Sequence, residues 1–458
     1  MLETWTDEKR QGLEPHWQRA FDFVEKLIGG RIVRAEVHPR WRPAYYLDVE
    51  TANGIVPLYF RGDRGEVEQL PYPLEHEHRV LVALERFGIK VPHVHGFCDD
   101  PRGIVLERVA GRPDLSTAES PEEARAALDD FVDLLAKMHQ IDVAELDELA
   151  LPVPATAEAL ALGDIGRWID AYRAQKVRPD PLVEFLIRWV HANVPQGRHE
   201  VALLQGDPGQ FLFENGRVTA MVDLELAHFG DPAADLAGLF CRDLSEPMPS
   251  LAEALRRYGE KTGNPVDPRV VMYHAVRFSL TAPLSTAHIV ALPPADTEFI
   301  QYMAWHWVCT RASLEWVARL EGIPLEPWSA PPEAPTRYSA GHEFVEGALQ
   351  ALSPEDAMVA YRVEVAGRAA SYLRRADRWG RAFDEEDLDE AAVVLGRRPA
   401  SWQEADTALE AFVIGNEADP ERDAPLLQLL YHRCLRHEWL LAPALRELSD
   451  AAFQPLEL

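Results

Sequence analysis

Between Leu204 and Ala237 the chain reads L-Q-G-D-P-G-Q-F-L-F-E-N-G-R-V-T-A-M-V-D-L-E-L-A-H-F-G-D-P-A-A-D-L-A. Two short apolar runs each lead to an aspartate. Residues 201–204 precede the loop that carries Asp207, and residues 217–223 close on Asp223 itself. Asn215-Gly216 joins the runs. That dipeptide favours a two-residue hairpin because both central residues of a type I′ turn need φ > 0. The pattern therefore predicts two carboxylates at neighbouring strand ends. One carboxylate to orient a hydroxyl and one to hold Mg²⁺ is the minimum equipment for phosphoryl transfer.

The surrounding pattern predicts which elements hold this segment. Residues 32–37, 45–49 and 55–60 alternate as strands, with a turn at Asn53-Gly54. Leu74, Leu81 and Leu84 keep helical spacing over 74–87, and 94–98 and 103–109 are again strand-like. Ser120-Pro121-Glu122-Glu123 opens a helix, with an N-cap serine, a proline at the first position and a capping-box glutamate. Its buried stripe is Leu128, Phe131, Leu135 and Met138. Helical patterns follow over 156–174, 180–193, 250–262, 268–290 and 296–320. Asp231-Pro232 looks like an N-cap with proline in the first turn. Five prolines between Pro324 and Pro335 suggest a linker, and 338–458 is helical in pattern without a chemical motif.

Composition narrows the function classes. The formal charge of −29 disfavours nucleic acid and anionic membranes as partners. No run of 18 apolar residues occurs, so no membrane-spanning helix is expected. The acidic start, Met1 to Glu8, lacks the basic and apolar regions of a signal peptide. Cys98, Cys241, Cys309 and Cys434 are scattered without a C-x-x-C. A cytoplasmic chain with unpaired thiols is the expectation.

Gln205-Gly206-Asp207, Asp223-Leu224-Glu225 and Gly230-Asp231-Pro232 through Asp235-Leu236-Ala237 occur in order. Together they resemble the aminoglycoside phosphotransferase and choline kinase-like family, small-molecule relatives of protein kinases. The resemblance covers roughly residues 20 to 325. It implies an α+β, bilobal protein kinase-like fold: an antiparallel-sheet N-lobe over 1–109 and a mostly helical C-lobe over 110–323. A linker over 324–337 and an extra helical domain over 338–458 would follow. That last domain has two readings, a lid or homo- or hetero-oligomerisation domain and an inert appendage.

The resemblance also implies roles. Asp207 would be the catalytic carboxylate, and Asp223, Glu225 and Gln210 the Mg²⁺ ligands. Arg61 would contact the nucleotide phosphates and Glu77 would pair with it. Arg40 and Arg42, in the first hairpin, would hold phosphates by side chain, since no glycine-rich loop is present. Glu107 and Val109 would present hinge backbone to the base of ATP or GTP. The sequence departs from the family at two points: the loop after Asp207 is about two residues shorter, and Gln210 stands where the family has Asn. A shorter loop with a longer ligand reads as compensation, while a damaged metal site would make the chain a nucleotide-binding pseudokinase. The acceptor would be a small hydroxylated molecule. Tyr273, Phe278, Phe299, Tyr302, Trp305, Trp307 and Trp316 crowd 268–320. Most should be core, but they favour a phenolic or aromatic alcohol over an aminoglycoside, with an antibiotic (aminoglycoside or macrolide) kinase as the alternative.

Overall fold

A computed structural model of the chain describes residues 3–38, 43–63, 72–294, 297–355, 357–449 and 451–457. In chain order its helices are α1 (Asp7–Gln11), α2 (Pro15–Ile28), α3 (Leu74–Arg86), α4 (Pro121–His139), α5 (Ala157–Leu162), α6 (Ile165–Gln175), α7 (Pro181–Ala192) and α8 (Ala233–Asp243). There follow α9 (Leu251–Thr262), α10 (Pro268–Ser279), α11 (Thr281–Ala291), α12 (Phe299–Glu321), α13 (Ser339–Gln350), α14 (Ala357–Leu395), α15 (Trp402–Gly415) and α16 (Pro420–Leu441). The chain parts into two compact units. The first is Met1–Ala155, His199–Leu236 and Pro247–Val266; the second is Thr156–Arg198, Ala237–Glu246 and Asp267–Leu458.

The first unit is built on a six-stranded antiparallel sheet. Its strands are β1 (Glu3–Thr4), β2 (Arg31–Val37), β3 (Ala44–Thr51), β4 (Gly54–Gly62), β5 (Val94–Asp99) and β6 (Arg102–Glu107), in the order β1-β2-β3-β4-β6-β5. The middle strands bury Leu47, Val49, Leu58 and Phe60 against Ala20, Phe21 and Val24 of α2. Sequence also marks the ends of α2: Pro15 sits in its first turn, and Gly29 closes it in the left-handed conformation, φ 73°. Ser120 caps α4 as expected, its Oγ accepting from Glu123 N–H at 3.2 Å.

The hairpin at Asn215-Gly216 forms with both residues at positive φ, 50° and 70°. Its strands are β8 (Phe211–Glu214) and β9 (Arg217–Met221). This corrects the expected pairing. The run before Asp207 becomes β7 (Ala202–Leu204) and pairs instead with β10 (His228–Gly230). The turn dipeptide fixes which residues reverse the chain. It joins the strands directly flanking it, and their ladder puts the loop of Asp207 before β8 and the loop of Asp223 after β9 at the same end.

In the second unit α12 is the central helix. It buries Trp307, Val308, Leu314 and Trp316, and packs with α10, α11 and α16. Buried ion pairs join the helices after 338 to those before 323. Arg188 meets Asp423 at 2.6 Å, and Arg311 meets Glu438 at 2.6 Å. The proline-rich segment contains no regular structure, yet Trp328 packs on Phe383, and Trp379 Nε1 donates to Pro331 O at 3.1 Å. The units therefore do not divide at 109, 323 or 338. The helices on either side of the proline-rich segment share one unit. Two expected helices are each split: 156–174 at Gly163, and 268–290 at Leu280, where Pro283 enters the first turn of α11. Among the described residues no helix is long and apolar enough to cross a membrane, and the four cysteines are unbridged.

Candidate active site

Asp207 lies on the loop between β7 and β8, and that loop is held from below. Asp235, 1 % exposed near the start of α8, accepts the backbone N–H of Gln205 at 2.7 Å and of Gly206 at 3.1 Å. The other contact on the Asp235 carboxylate is His139 Nε2 of α4 at 3.0 Å, and His139 Nδ1 meets Tyr258 OH at 2.8 Å. Asp231 caps α8 by accepting Ala233 N–H at 2.9 Å. Gly206 has φ 85°, and a Cβ there would lie 2.0 Å from Leu226 O. Only glycine lets the Asp207 loop press this closely on the Asp223 loop.

Gln205 is fully buried. It ties the loops together, its Nε2 donating to Gln210 O at 2.9 Å and Val222 O at 3.2 Å. Gln210 Nε2 donates to Asp207 Oδ2 at 2.6 Å. A carboxylate only accepts, so the amide nitrogen must face Asp207 and the Oε1 end is turned elsewhere.

Asp223 takes a left-handed backbone, φ 58°, a conformation that aspartate tolerates at some cost. Opposite it, Arg61 is the penultimate residue of β4. Its Nε donates to Glu77 Oε2 of α3 at 2.7 Å, and its Nη2 contacts Asp223 Oδ1 and reaches Glu225 Oε2 at 3.2 Å. Burial opposes charge on this guanidinium, but Glu77, Asp223 and Glu225 outweigh it and hold its pKa well above the ordinary value. The segment is also anchored to α3, where His76 Nε2 donates to Ala227 O at 2.7 Å.

Asp207 and Gln210 thus touch each other, as do Arg61, Glu77, Asp223 and Glu225. Arg40 and Arg42 lie outside the described residues. At the end of β6 the N–H groups of Glu107 and Arg108 are donated to His93 O at 2.8 Å and Pro57 O at 3.1 Å, so the Glu107 N–H is already committed; Val109 lies just beyond. The aromatic stripe is only partly core: Phe278, Phe299 and Tyr302 are half-buried and Trp305 is exposed. Tyr273, Trp307 and Trp316 are buried, with Tyr273 OH donating to Val190 O at 3.0 Å and Trp316 packed on Phe240 and Phe453. Asp235, His139 and Tyr258 had no assigned role in the sequence reading. The Asp of G-D-P-x-x-D-L-A was the available signal for the first of them.

Two nearby carboxylates that both reach one guanidinium nitrogen converge on a single cation position. That suits Mg²⁺, which takes one or two protein carboxylates and completes its shell with water and phosphate oxygen. Among the described residues no cluster of three His, Cys, Asp or Glu forms a closed all-protein metal cage.

An antiparallel sheet carrying a buried Arg–Glu pair, with two acidic loops held on one hairpin, defines a protein kinase-like phosphotransferase. The chain belongs to the phosphotransferase enzyme family, whose APH family model matches residues 43–273. A solved structure from Ralstonia eutropha, named for the aminoglycoside phosphotransferases, shares the fold with a TM-score of 0.52 and 18 % identity. That match covers 66 % of this chain and 98 % of the other. Acyl-CoA dehydrogenase family member 11 of Rattus norvegicus is 30 % identical over 183 residues, 37 % of this chain and 23 % of that protein. The Gallus gallus protein of the same name is 28 % identical over 229 residues, 47 % and 28 % respectively. The chain spans about a quarter of the length of these relatives.

Proposed function

We propose that this phosphotransferase moves the γ-phosphate of ATP or GTP to a hydroxyl of a small organic molecule. The observation that carries the reading is the pair of fixed carboxylate centres, Asp207 locked by Gln210 and Asp223 with Glu225 converging on one cation position. Asp207 accepts and orients the acceptor hydroxyl, and late proton transfer to it completes the reaction. Positioning is its larger role, because the transferring phosphoryl group is loosely bonded at the transition state. Asp223 and Glu225, with Gln210 Oε1, are the groups to hold Mg²⁺, which when bound neutralises charge on the phosphates. Arg61 offers a planar fork that grips phosphate oxygens in pairs, and Glu77 fixes its direction. Val109 supplies backbone groups for the base.

Of the aromatics of 268–320, buried Tyr273, Trp307 and Trp316 give no special weight to an aromatic acceptor, whereas Phe278, Phe299, Tyr302 and Trp305 keep that reading open. The acceptor panel therefore spans phenols, aminoglycosides, macrolides and choline-like alcohols. It also includes hydroxylated acyl thioesters, since the relatives above are named for acyl-CoA chemistry. Nucleotide turnover is measured with Mg²⁺ for wild type and Asp207→Asn. The expected result is acceptor-stimulated turnover reduced about 10²–10⁴-fold in the variant. Nucleotide binding without stimulation by any acceptor class, or stimulation retained in Asp207→Asn, would overturn the assignment. The first of those outcomes favours the pseudokinase that the shortened loop also suggests.

A further inference from the structure

Arg61 meets three carboxylates from two of its nitrogens. Nε is committed to Glu77, whose side chain is 2 % exposed, and Nη2 is committed to Asp223 and Glu225. The contact on Asp223 is made to Oδ1, and the second carboxylate approaches the same nitrogen. A divalent ion bound by these two residues competes with Arg61 for the same two carboxylates. It would then sit beside a guanidinium whose charge is not lost at any ordinary pH, and the repulsion between them in a half-buried site is strong. A lysine ammonium is a compact point charge; the guanidinium fork engages Glu77 with one nitrogen and the acidic loop with another.

We infer that Arg61 is the resident cation of the metal position and decides the form in which the metal is taken up. The free ion competes with Nη2 for Asp223 and Glu225 and binds poorly. The nucleotide complex brings phosphate oxygens that draw the fork away, with the Nε–Glu77 contact as the pivot. Metal and nucleotide then bind with positive coupling, and Arg61 is the specificity-determining residue for that coupling. The inference rests on the nucleotide-dependent reading of the site given above.

The test measures Mn²⁺ binding to the full chain by electron paramagnetic resonance, with and without saturating ATP. The proteins compared are wild type, Arg61→Gln, Arg61→Lys and Asp223→Asn. Without ATP, Arg61→Gln should bind Mn²⁺ at least tenfold more tightly than wild type, and Arg61→Lys at least threefold more tightly. Asp223→Asn should lose this site in either background. ATP should raise the wild-type Mn²⁺ affinity at least tenfold, and this coupling should fall toward unity in Arg61→Gln. By linkage, Mn²⁺ must tighten ATP binding by the same factor. Should Arg61→Gln fail to fold by circular dichroism, Arg61→Lys, which keeps the charge, carries the comparison. Equal Mn²⁺ affinity in wild type and the Arg61 variants without ATP would overturn the inference while leaving the phosphotransfer reading intact. Failure of ATP to bind wild type at any Mn²⁺ concentration would remove the nucleotide reading and this inference with it.

Discussion

Replacing Asp235 by alanine removes one carboxylate and strands three donors. The carboxylate is 1 % exposed, and it accepts Gln205 N–H, Gly206 N–H and His139 Nε2 at 2.7, 3.1 and 3.0 Å. Each unsatisfied buried donor costs about 1–3 kcal/mol, so the three sum to roughly 3–9 kcal/mol; with partial relaxation we expect about 3–6 kcal/mol. Against a total stability of typically 5–15 kcal/mol this is a large share. Asp235→Asn keeps one acceptor oxygen but turns an N–H toward at least one donor, and should cost about 2–4 kcal/mol. Urea unfolding measures the loss, and amide hydrogen exchange at Gln205 and Gly206 localises it. Both amides should lose protection before the β2–β4 sheet does. A change below about 1 kcal/mol in Asp235→Ala, with both amides still protected, would refute the idea that this carboxylate holds the Asp207 loop.

Gly206→Ala combines a left-handed backbone with a Cβ 2.0 Å from Leu226 O. It should destabilise by about 2–5 kcal/mol, and a thermal midpoint within two degrees of wild type would contradict the close approach of the two loops. His306, 3 % exposed, has its pKa pushed down to about 3 by burial. The folded state keeps this imidazole neutral while the unfolded chain protonates it below about 6.5. Stability is therefore complete above about pH 6.5 and is lost as pH falls toward 3, by about 1.4 kcal/mol per pH unit. His306→Gln retains an amide able to meet Thr286 Oγ1, now 3.0 Å from Nδ1, without titrating. It should remove about 2 kcal/mol of the acid loss between pH 7 and pH 5. Identical pH dependence of unfolding in the two proteins would show that His306 does not contribute.

What the sequence made legible was local chemistry with a fixed geometric demand. Asn215-Gly216 had to be a positive-φ turn, Ser120-Pro121 had to open a helix, and β-type alternation located β2 to β6 within two residues but missed the short β1. Pairing across distance was less legible. The strand before Asp207 pairs with β10 and not with the hairpin, because a turn signal specifies only its own flanks. Continuous helical periodicity hid the break at Leu280, since a proline in the first turn of a new helix leaves the apolar spacing unchanged. The prolines of 324–335 marked a segment that does not form a helix, but proline content says nothing about whether the flanking helices pack together. The Arg311–Glu438 pair shows that they do. Asp235 is the clearest case in the site. An aspartate in a motif can be read from sequence, but the two backbone N–H groups it accepts belong to residues thirty positions away.

The departures at 208–210 make physical sense as one change. Asp207 and Gln210 are three residues apart, and the Pro208-Gly209 turn between them, with Gly209 at φ 89°, brings the Gln210 amide back onto the Asp207 carboxylate at 2.6 Å. Shortening the loop leaves fewer residues to hold Asp207 in place, and this contact supplies a restraint from within the loop. The added methylene matters because the donor end is then committed to Asp207 while the acceptor end remains at the tip of a longer arm. Asparagine, one methylene shorter, would have less reach to serve both ends from the same backbone position. The same side chain therefore fixes the Asp207 carboxylate through its nitrogen and keeps an amide oxygen for a second partner. That is how a shortened loop can remain compatible with phosphoryl transfer.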